Sequence, residues 1–240
     1  MIITKTPFRM SFCGGGSDLP SFYRKHGGCV ISTSINRYMY ITIHPYFYPG
    51  KTALRYSEHE LVDDLGDIRH SIFRQVLNDM HISGVEISST ADVPSGTGLG
   101  SSSAFTVGLL HTLYCYKNKY VTKKELASEA CDIEINKLGN PIGKQDQYAA
   151  ACGGLNLIEF HQDDSVTVEP IVMRREMKCA LEENLVAFYT GATHNANMIL
   201  EDQSRNYSDV DKTRSMLQMC ELVRNMKKML ENDEIDGFGL

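Results

Sequence analysis

Pro94-Ser95-Gly96-Thr97-Gly98-Leu99-Gly100-Ser101-Ser102-Ser103-Ala104-Phe105 is the stretch on which the reading of this chain turns. Gly96, Gly98 and Gly100 alternate with Ser95, Thr97 and Leu99, and three hydroxyl side chains, Ser101 to Ser103, follow. Behind them an apolar helical pattern runs from Ala104 to Tyr116, with Val107, Leu110, Leu113 and Tyr114 at helical spacing. Glycines let backbone N–H groups approach a ligand closely. A helix N-terminus offers an anion unpaired N–H groups and roughly half a positive charge. Serines there cap the helix, bond phosphate oxygens or hold a magnesium ion. Val85 to Thr90 reads as a short strand closed by Ala91-Asp92-Val93-Pro94, so the order is strand, loop, helix. No lysine follows the last glycine, which excludes a Walker A loop, and the spacing is not the GxGxxG of a first dinucleotide-binding turn. An anion-binding loop and a plain serine/glycine turn with an N-cap both remain open on these residues alone.

Ile2 to Phe12 reads as a strand ending at Gly14-Gly15-Gly16. Cys29 to His44 is a long strand in which Tyr38, Tyr40, Thr42 and His44 alternate with Met39, Ile41 and Ile43. Glu60 to Met80 is expected to be helical. Thr122 opens a helix with a capping box, since Glu125 stands three residues on; this helix runs to Leu138, with Gly139 to stop it and Pro141 beyond. Tyr148 to Ala151 continues a helical pattern up to Gly153-Gly154. Leu155 to Phe160 and Ser165 to Val168 read as a hairpin, Arg174 to Lys178 as a charged linker and Leu185 to Tyr189 as a buried strand, with the rest mostly helical. Strands and helices are interleaved irregularly, which is the pattern of an α+β fold.

The 240 residues are long for one domain and short for two. With 42% hydrophobic and 22% charged residues, collagen-like, fibrous and disordered classes are excluded. The net charge of −6 argues against a nucleic acid or an anionic membrane as partner. Seven cysteines, Cys13, Cys29, Cys115, Cys131, Cys152, Cys179 and Cys220, form no CxxC pair and no zinc-like spacing with histidine, so they read as free thiols in a reducing cytosol. No apolar run approaches the roughly 18 residues that span a bilayer, and MIITKTPFRM lacks the apolar core of a signal peptide. The expectation is a cytoplasmic protein. The chain stops after Asp236-Gly237-Phe238-Gly239-Leu240, so either this end packs or the sequence is a fragment.

PSGTGLGSSSAF resembles the second motif of the GHMP small-molecule kinases, the family of galactokinase, homoserine kinase, mevalonate kinase and phosphomevalonate kinase. The resemblance implies that Pro94, Gly96, Gly98, Leu99, Gly100, Ser101, Ser102 and Ser103 wrap the phosphates of ATP, with Ser102 on magnesium. Pro7-Phe8-Arg9-Met10-Ser11-Phe12-Cys13-Gly14-Gly15-Gly16-Ser17-Asp18-Leu19 resembles the first motif. That likeness implies Arg9 near the transferred phosphate and Asp18 on the sugar hydroxyls, with Gly14, Gly15, Gly16 and Ser17 beside it. Galactokinases carry Glu-His at Gly15 and Gly16; the triple glycine followed by Ser-Asp-Leu-Pro is similar to the D-glycero-D-manno-heptose-phosphate kinase branch. The resemblance covers nearly all of the chain in order. The family's third, glycine-rich motif is absent and members are usually longer, so the sequence reads as C-terminally truncated. The implied fold is that of the GHMP kinases: a ribosomal-protein-S5-domain-2-like ATP-binding domain over 1–178, then an incomplete ferredoxin-like α+β domain over 179–240.

Two carboxylates take their meaning from this likeness. Leu126, Ala130 and Glu134 lie four apart on one helix face. By itself Glu134 is a stripe-edge residue reaching water, or else a buried one that needs a partner or a metal. It precedes Gly139-Asn140-Pro141 at the spacing of the family's second magnesium ligand. Asp146, in Gly143-Lys144-Gln145-Asp146-Gln147, alone reads as a cap or helix-dipole partner; the resemblance makes it the catalytic aspartate that accepts or orients the proton of the attacking hydroxyl. Lys144 either reaches phosphate or is only solvated. Thr190-Gly191-Ala192-Thr193-His194-Asn195 resembles the point where the second domain meets the active site, which adds Gly191, and Thr193 or His194, to the substrate side. Read alone, it is a strand–helix turn capped by Asn195 or Thr193.

The activity implied is an ATP- and Mg2+-dependent sugar kinase that phosphorylates the anomeric hydroxyl of a heptose 7-phosphate for nucleotide-sugar and surface polysaccharide synthesis. The alternatives are another sugar 1-kinase, with a substrate like L-fucose or galactose, and a non-catalytic ligand-binding relative. Retention of Arg9, Ser102, Glu134 and Asp146 together argues against the last. The oligomeric state is left open.

Overall fold

A computed structural model describes residues 1–188, 191 and 209–238. The chain falls into two compact units, and several segments pass between them in sequence. One comprises Met1–Arg9, Ser34–Ile142 and Asp146–Cys152; the other comprises Met10–Thr33, Gly143–Gln145 and Gly153–Leu240.

In the first unit, the second half of strand β2 (Gly28–Pro45) pairs antiparallel with β5 (Val85–Ala91), Ile41 opposite Ser89 and Ile43 opposite Ile87. Beyond β5 come β3 (Thr52–Arg55), parallel to it, and β4 (His59–Val62), antiparallel to β3. Strand β1 (Ile2–Cys13) pairs with β2. The alternation in β2 is the expected one: Met39, Ile41 and Ile43 are buried, while Tyr38, Tyr40 and Thr42 are partly exposed. Against these residues pack Phe73, Val76 and Leu77 of α2 (Ser71–Met80) and Leu109, Leu110 and Leu113 of α3 (Ser101–Tyr116). Each such side chain contributes about 1.5–3 kcal/mol by leaving water. Helix α4 (Lys123–Cys131) starts at Thr122 with both halves of the capping box formed. It continues into a π-helical turn, Asp132–Lys137, and α5 (Gln145–Cys152) follows.

In the second unit, the first half of β2 pairs antiparallel with β6 (Leu155–Phe160), which pairs with β7 (Val166–Pro170) as the hairpin reading anticipates. Leu19 and Phe22, at and inside α1 (Pro20–His26), join Ile31, Leu157, Leu181 of α6 (Arg175–Glu183), and Met216, Cys220, Val223 and Leu230 of α7 (Val210–Glu231) in a separate core. The whole is α+β, and among the described residues no helix is long and apolar enough to cross a membrane.

Three local expectations are corrected. Helix over Glu60 to Met80 fails at its first half: Glu60 lies in β4, buried, and its carboxylate accepts the N–H of Arg69 at 2.7 Å and of His70 at 3.2 Å. Asp64 caps the Gly66 amide at 2.6 Å, the turn chemistry that keeps Asp-rich stretches out of helices, and α2 starts only at Ser71. Arg174 to Lys178 is not a linker, because α6 occupies it and buries Leu181. Leu185 to Phe188 form no strand and stand exposed, with no partner edge among the described residues to satisfy their backbone; Tyr189 lies outside the described residues. An apolar run alone does not supply that partner.

Candidate active site

The loop before α3 holds Gly96, Gly98 and Gly100 at φ of 76°, 76° and 75°, a conformation side chains resist. Helix α3 then begins at Ser101, with Gly100 as N-cap and no capping side chain. This contrasts with α4, whose first amides are taken by Thr122 and Glu125. A 16-residue helix left without a capping side chain keeps its N-terminal donors for another acceptor. Ser101 is partly exposed, Ser102 exposed and Ser103 buried. Pro94 takes part through its carbonyl, which accepts the Thr97 hydroxyl at 3.1 Å, and Leu99 packs against the core of this unit.

Arg9, on β1, binds this loop and the next candidate together. Its Nη1 donates to the Gly98 carbonyl at 2.6 Å, and its backbone N–H to the Leu99 carbonyl at 3.3 Å. Its Nε and Nη2 donate to the two Asp146 oxygens at 2.8 and 2.9 Å, a bidentate pair that fixes the carboxylate's plane. Both side chains remain partly open, 13% and 24% exposed. Gly100 leaves the room: a Cβ there would stand 3.2 Å from Asp146 Oδ2.

Glu134 is fully buried in the π-helical turn, where Leu138 donates to the Ile133 carbonyl five residues back. Such turns shift one side chain off the α-helical face and are frequent at functional sites. Its Oε1 accepts the Ser102 hydroxyl at 2.6 Å and its Oε2 the Gln147 amide at 2.8 Å. Burial pushes the Glu134 carboxyl above the usual range, against the hydrogen bonds from Ser102, Gln147 and Ser103 that favour its charged form. The Gln147 Oε1 is also buried and has no partner. A hydroxyl, a carboxylate and an unsatisfied amide oxygen are the hard donors magnesium takes, so these residues fit that ion. Among the described residues no group of three or more His, Cys, Asp or Glu side chains is placed to hold a metal by itself.

The sugar-side candidates fall in the other unit. Ser17 and Asp18 are buried, and Gly15 is partly exposed. The Ser17 hydroxyl donates to the Cys29 carbonyl at 2.9 Å and accepts its N–H at 3.0 Å, stitching the loop to β2. Gly14 and Gly16 are buried beside them. Gly191 is exposed in a bend, and Thr193, His194 and Asn195 lie outside the described residues. Lys144 is not merely solvated: its ammonium donates to the Asp164 carbonyl at 2.8 Å. The sequence reading missed Gln145 and Gln147, whose signal is two glutamines flanking Asp146 at the start of an alanine-rich helix.

Residues 68–154 match the GHMP kinases N terminal domain. The chain is 31% identical over 241 residues to D-glycero-alpha-D-manno-heptose 7-phosphate kinase of Campylobacter jejuni, covering 95% of this chain and 71% of that one. The chain belongs to the GHMP kinase family. Its fold superposes on the crystal structure of a D-glycero-D-manno-heptose 1-phosphate kinase from Bacteroides thetaiotaomicron with a TM-score of 0.83, at 25% identity, over 99% of this chain and 76% of that one. Streptococcus pneumoniae phosphomevalonate kinase shares the fold at a TM-score of 0.77 and 15% identity, over 100% of this chain and 78% of that one. The matched segment holds the glycine-rich loop, Glu134 and Asp146 of this GHMP kinase. The fold expected from the motifs is the one found.

Proposed function

We propose that this chain is an ATP-dependent sugar kinase that phosphorylates the anomeric hydroxyl of D-glycero-D-manno-heptose 7-phosphate, in a cytoplasmic route to nucleotide sugars for surface polysaccharide. The observation that carries the chemistry is Arg9, which joins the Asp146 carboxylate and the Gly98 carbonyl in one hydrogen-bonded cluster. The substrate class rests on the relatedness to a heptose 7-phosphate kinase. The cytoplasmic setting rests on the seven free cysteines and the need for ATP.

In this reading the loop from Pro94 to Gly100 and the uncapped amides of α3 cradle the ATP phosphates. Ser102 and Glu134 hold magnesium, which when bound neutralises phosphate charge. Arg9 stabilises the charge of the transferring phosphoryl group. Asp146 accepts or orients the proton of the anomeric hydroxyl, and its fork-to-fork pairing with Arg9 fixes the direction from which that hydroxyl is received. Phosphoryl transfer asks mainly for such positioning and charge stabilisation. The Gly14–Asp18 segment, whose open point is Gly15, and Gly191 belong to the sugar side. The ATP-binding domain is assigned to 1–178 and the second domain begins at 179, consistent with the matched segment lying inside the first.

The test is turnover of a sugar panel (the heptose 7-phosphate, unphosphorylated heptose, L-fucose, galactose) with ATP and Mg2+. The heptose phosphate is expected to have the highest kcat/KM; preference for L-fucose or galactose would move the substrate assignment, and no turnover of any sugar would end it. Asp146→Asn is expected to lower kcat by roughly 10²–10⁴ with little change in KM, as for an interaction made mainly in the transition state. An undiminished kcat would leave Asp146 a helix-end cap.

A further inference from the structure

We propose that Asp18 is a positioning residue: it pins Gln145, the first residue of α5, and so sets where the next residue, Asp146, stands. The proposal rests on the kinase reading above and divides labour within the Gly14–Asp18 segment.

Asp18 is 2% exposed. Its Oδ1 accepts the Gly16 N–H at 3.1 Å and the Gln145 side-chain amide at 3.2 Å, and its Oδ2 accepts the Gln145 backbone N–H at 3.1 Å. A buried carboxylate is stable only with such donors, and charge-assisted bonds are about twice as strong as neutral ones. The Gln145 N–H is one of the first amides of a helix, which that helix cannot satisfy itself. Asp18 therefore serves α5 as an N-terminal anchor supplied from 127 residues away in sequence.

Two further contacts make the anchor specific. The Gln145 amide group is held by its oxygen as well, since Oε1 accepts the Ser11 hydroxyl at 2.9 Å. Residue 143 has to be glycine, because a Cβ there would stand 1.9 Å from Asp18 Oδ2 and 2.8 Å from the Asp18 carbonyl oxygen. The carboxylate thus occupies the space a side chain at 143 would need. Within the loop, Ser17 is likewise turned inward onto Cys29, whereas a Cβ on Gly15 would meet nothing within 4 Å. The two polar side chains of the segment hold structure, and its open point is Gly15.

The consequence is kinetic. A catalytic carboxylate displaced by about 1 Å costs on the order of 10²-fold in rate, and the peptide before Asp146 is the one Asp18 holds. A direct sugar ligand would instead act on sugar affinity.

The experiment measures kcat, KM and calorimetric affinity for D-glycero-D-manno-heptose 7-phosphate, together with hydrogen–deuterium exchange over residues 143–147. In Asp18→Asn, kcat is expected to fall about 10- to 100-fold, sugar affinity to stay within about threefold, and exchange at 143–147 to accelerate. Gln145→Glu, which sets a second carboxylate against Asp18, is expected to slow turnover similarly. Combining it with Asp18→Asn exchanges amide and acid across the same contact and is expected to restore part of the lost kcat, as a double-mutant cycle reads coupling. Sugar affinity weakened tenfold or more in Asp18→Asn at unchanged kcat would overturn the proposal, as would unchanged exchange at 143–147. Should Asp18→Asn fail to fold, Gln145→Ala keeps the backbone bond and loses the side-chain one; a kcat unchanged there would also overturn it. A wild-type protein that turns over no sugar defeats the kinase reading, while the exchange measurement still decides whether Asp18 pins residue 145.

Discussion

A Cβ on residue 14 would stand 2.1 Å from the Cys29 carbonyl oxygen, whereas one on residue 98 would meet nothing within 4 Å. Both glycines have positive φ, at 92° and 76°, and both lie in loops that look alike in composition, Gly14-Gly15-Gly16-Ser17-Asp18 and Gly96-Thr97-Gly98-Leu99-Gly100. The first loop is closed on itself and on β2 through Ser17 and Asp18. The second is bound mainly from one side, by Arg9, and leads to a helix end that no side chain caps. Glycine serves close packing in one and backbone conformation in the other. Open space around Gly98 suits the phosphate-side loop proposed above; the packing around Gly14 suits a loop that must not move.

Alanine tests that difference most strongly at residue 14. There the substitution adds the strain of positive φ, about 1–2 kcal/mol, to an overlap with backbone that nothing flexible can relieve, typically 1–3 kcal/mol or more. Gly14→Ala is expected to lose at least about 3 kcal/mol in denaturant unfolding, or to fail to fold. A loss below about 1 kcal/mol would mean the loop yields, and the contrast would collapse. Gly98→Ala meets only the φ strain, so it is expected to lose about 1–2 kcal/mol of stability. Its larger effect is expected on nucleotide: the KM for ATP rises several-fold, about 1 kcal/mol, while the KM for sugar stays put. Equal shifts in both would show that the open loop is not the phosphate side.

The sequence made the open loop legible and the closed one only half so. Alternating glycines and serines before an apolar helix announce a loop running into a helix start, because every part of that signal is local; that no side chain caps the start is visible only in the fold. The motifs likewise brought Arg9, Ser102, Glu134 and Asp146 to one unit. What Asp18 touches was not legible, because its partner Gln145 is 127 residues away and a buried carboxylate looks the same in sequence as one facing a sugar. The π-helical turn that carries Glu134 was read as regular helix, since the extra residue leaves no compositional mark. Glu60 was misread as helical because its amide donors, Arg69 and His70, are reached only when the chain turns back.

The smallest expected effect asks whether the closed region is held from a second direction. Asp164, at φ 68° in the turn between β6 and β7, accepts the Tyr23 hydroxyl at 2.5 Å, Arg24 Nε at 3.1 Å and Lys144 Nζ at 3.3 Å. The Tyr23 hydrogen bond, the largest cause, outweighs the opposing effect of burial, and with Arg24 and Lys144 it lowers the Asp164 carboxyl from 3.8 to about 2. A carboxyl lowered on folding adds stability that is present above its unfolded value and lost as pH falls through its folded one. Its side chain is 46% exposed, so solvent screens the network and the gain is about 0.5–1 kcal/mol. Asparagine tolerates the left-handed backbone, so Asp164→Asn tests the charge alone. The variant is expected to be less stable than wild type by that amount at pH 7, with the gap shrinking as pH falls from about 4 to about 2 and also in 1 M salt. Lys144 immediately precedes Gln145, yet kcat is expected to stay unchanged, because Asp18 still holds the Gln145 amide. A fall in kcat as large as that of Asp18→Asn would show that the start of α5 is fixed from the hairpin turn as much as from the glycine loop.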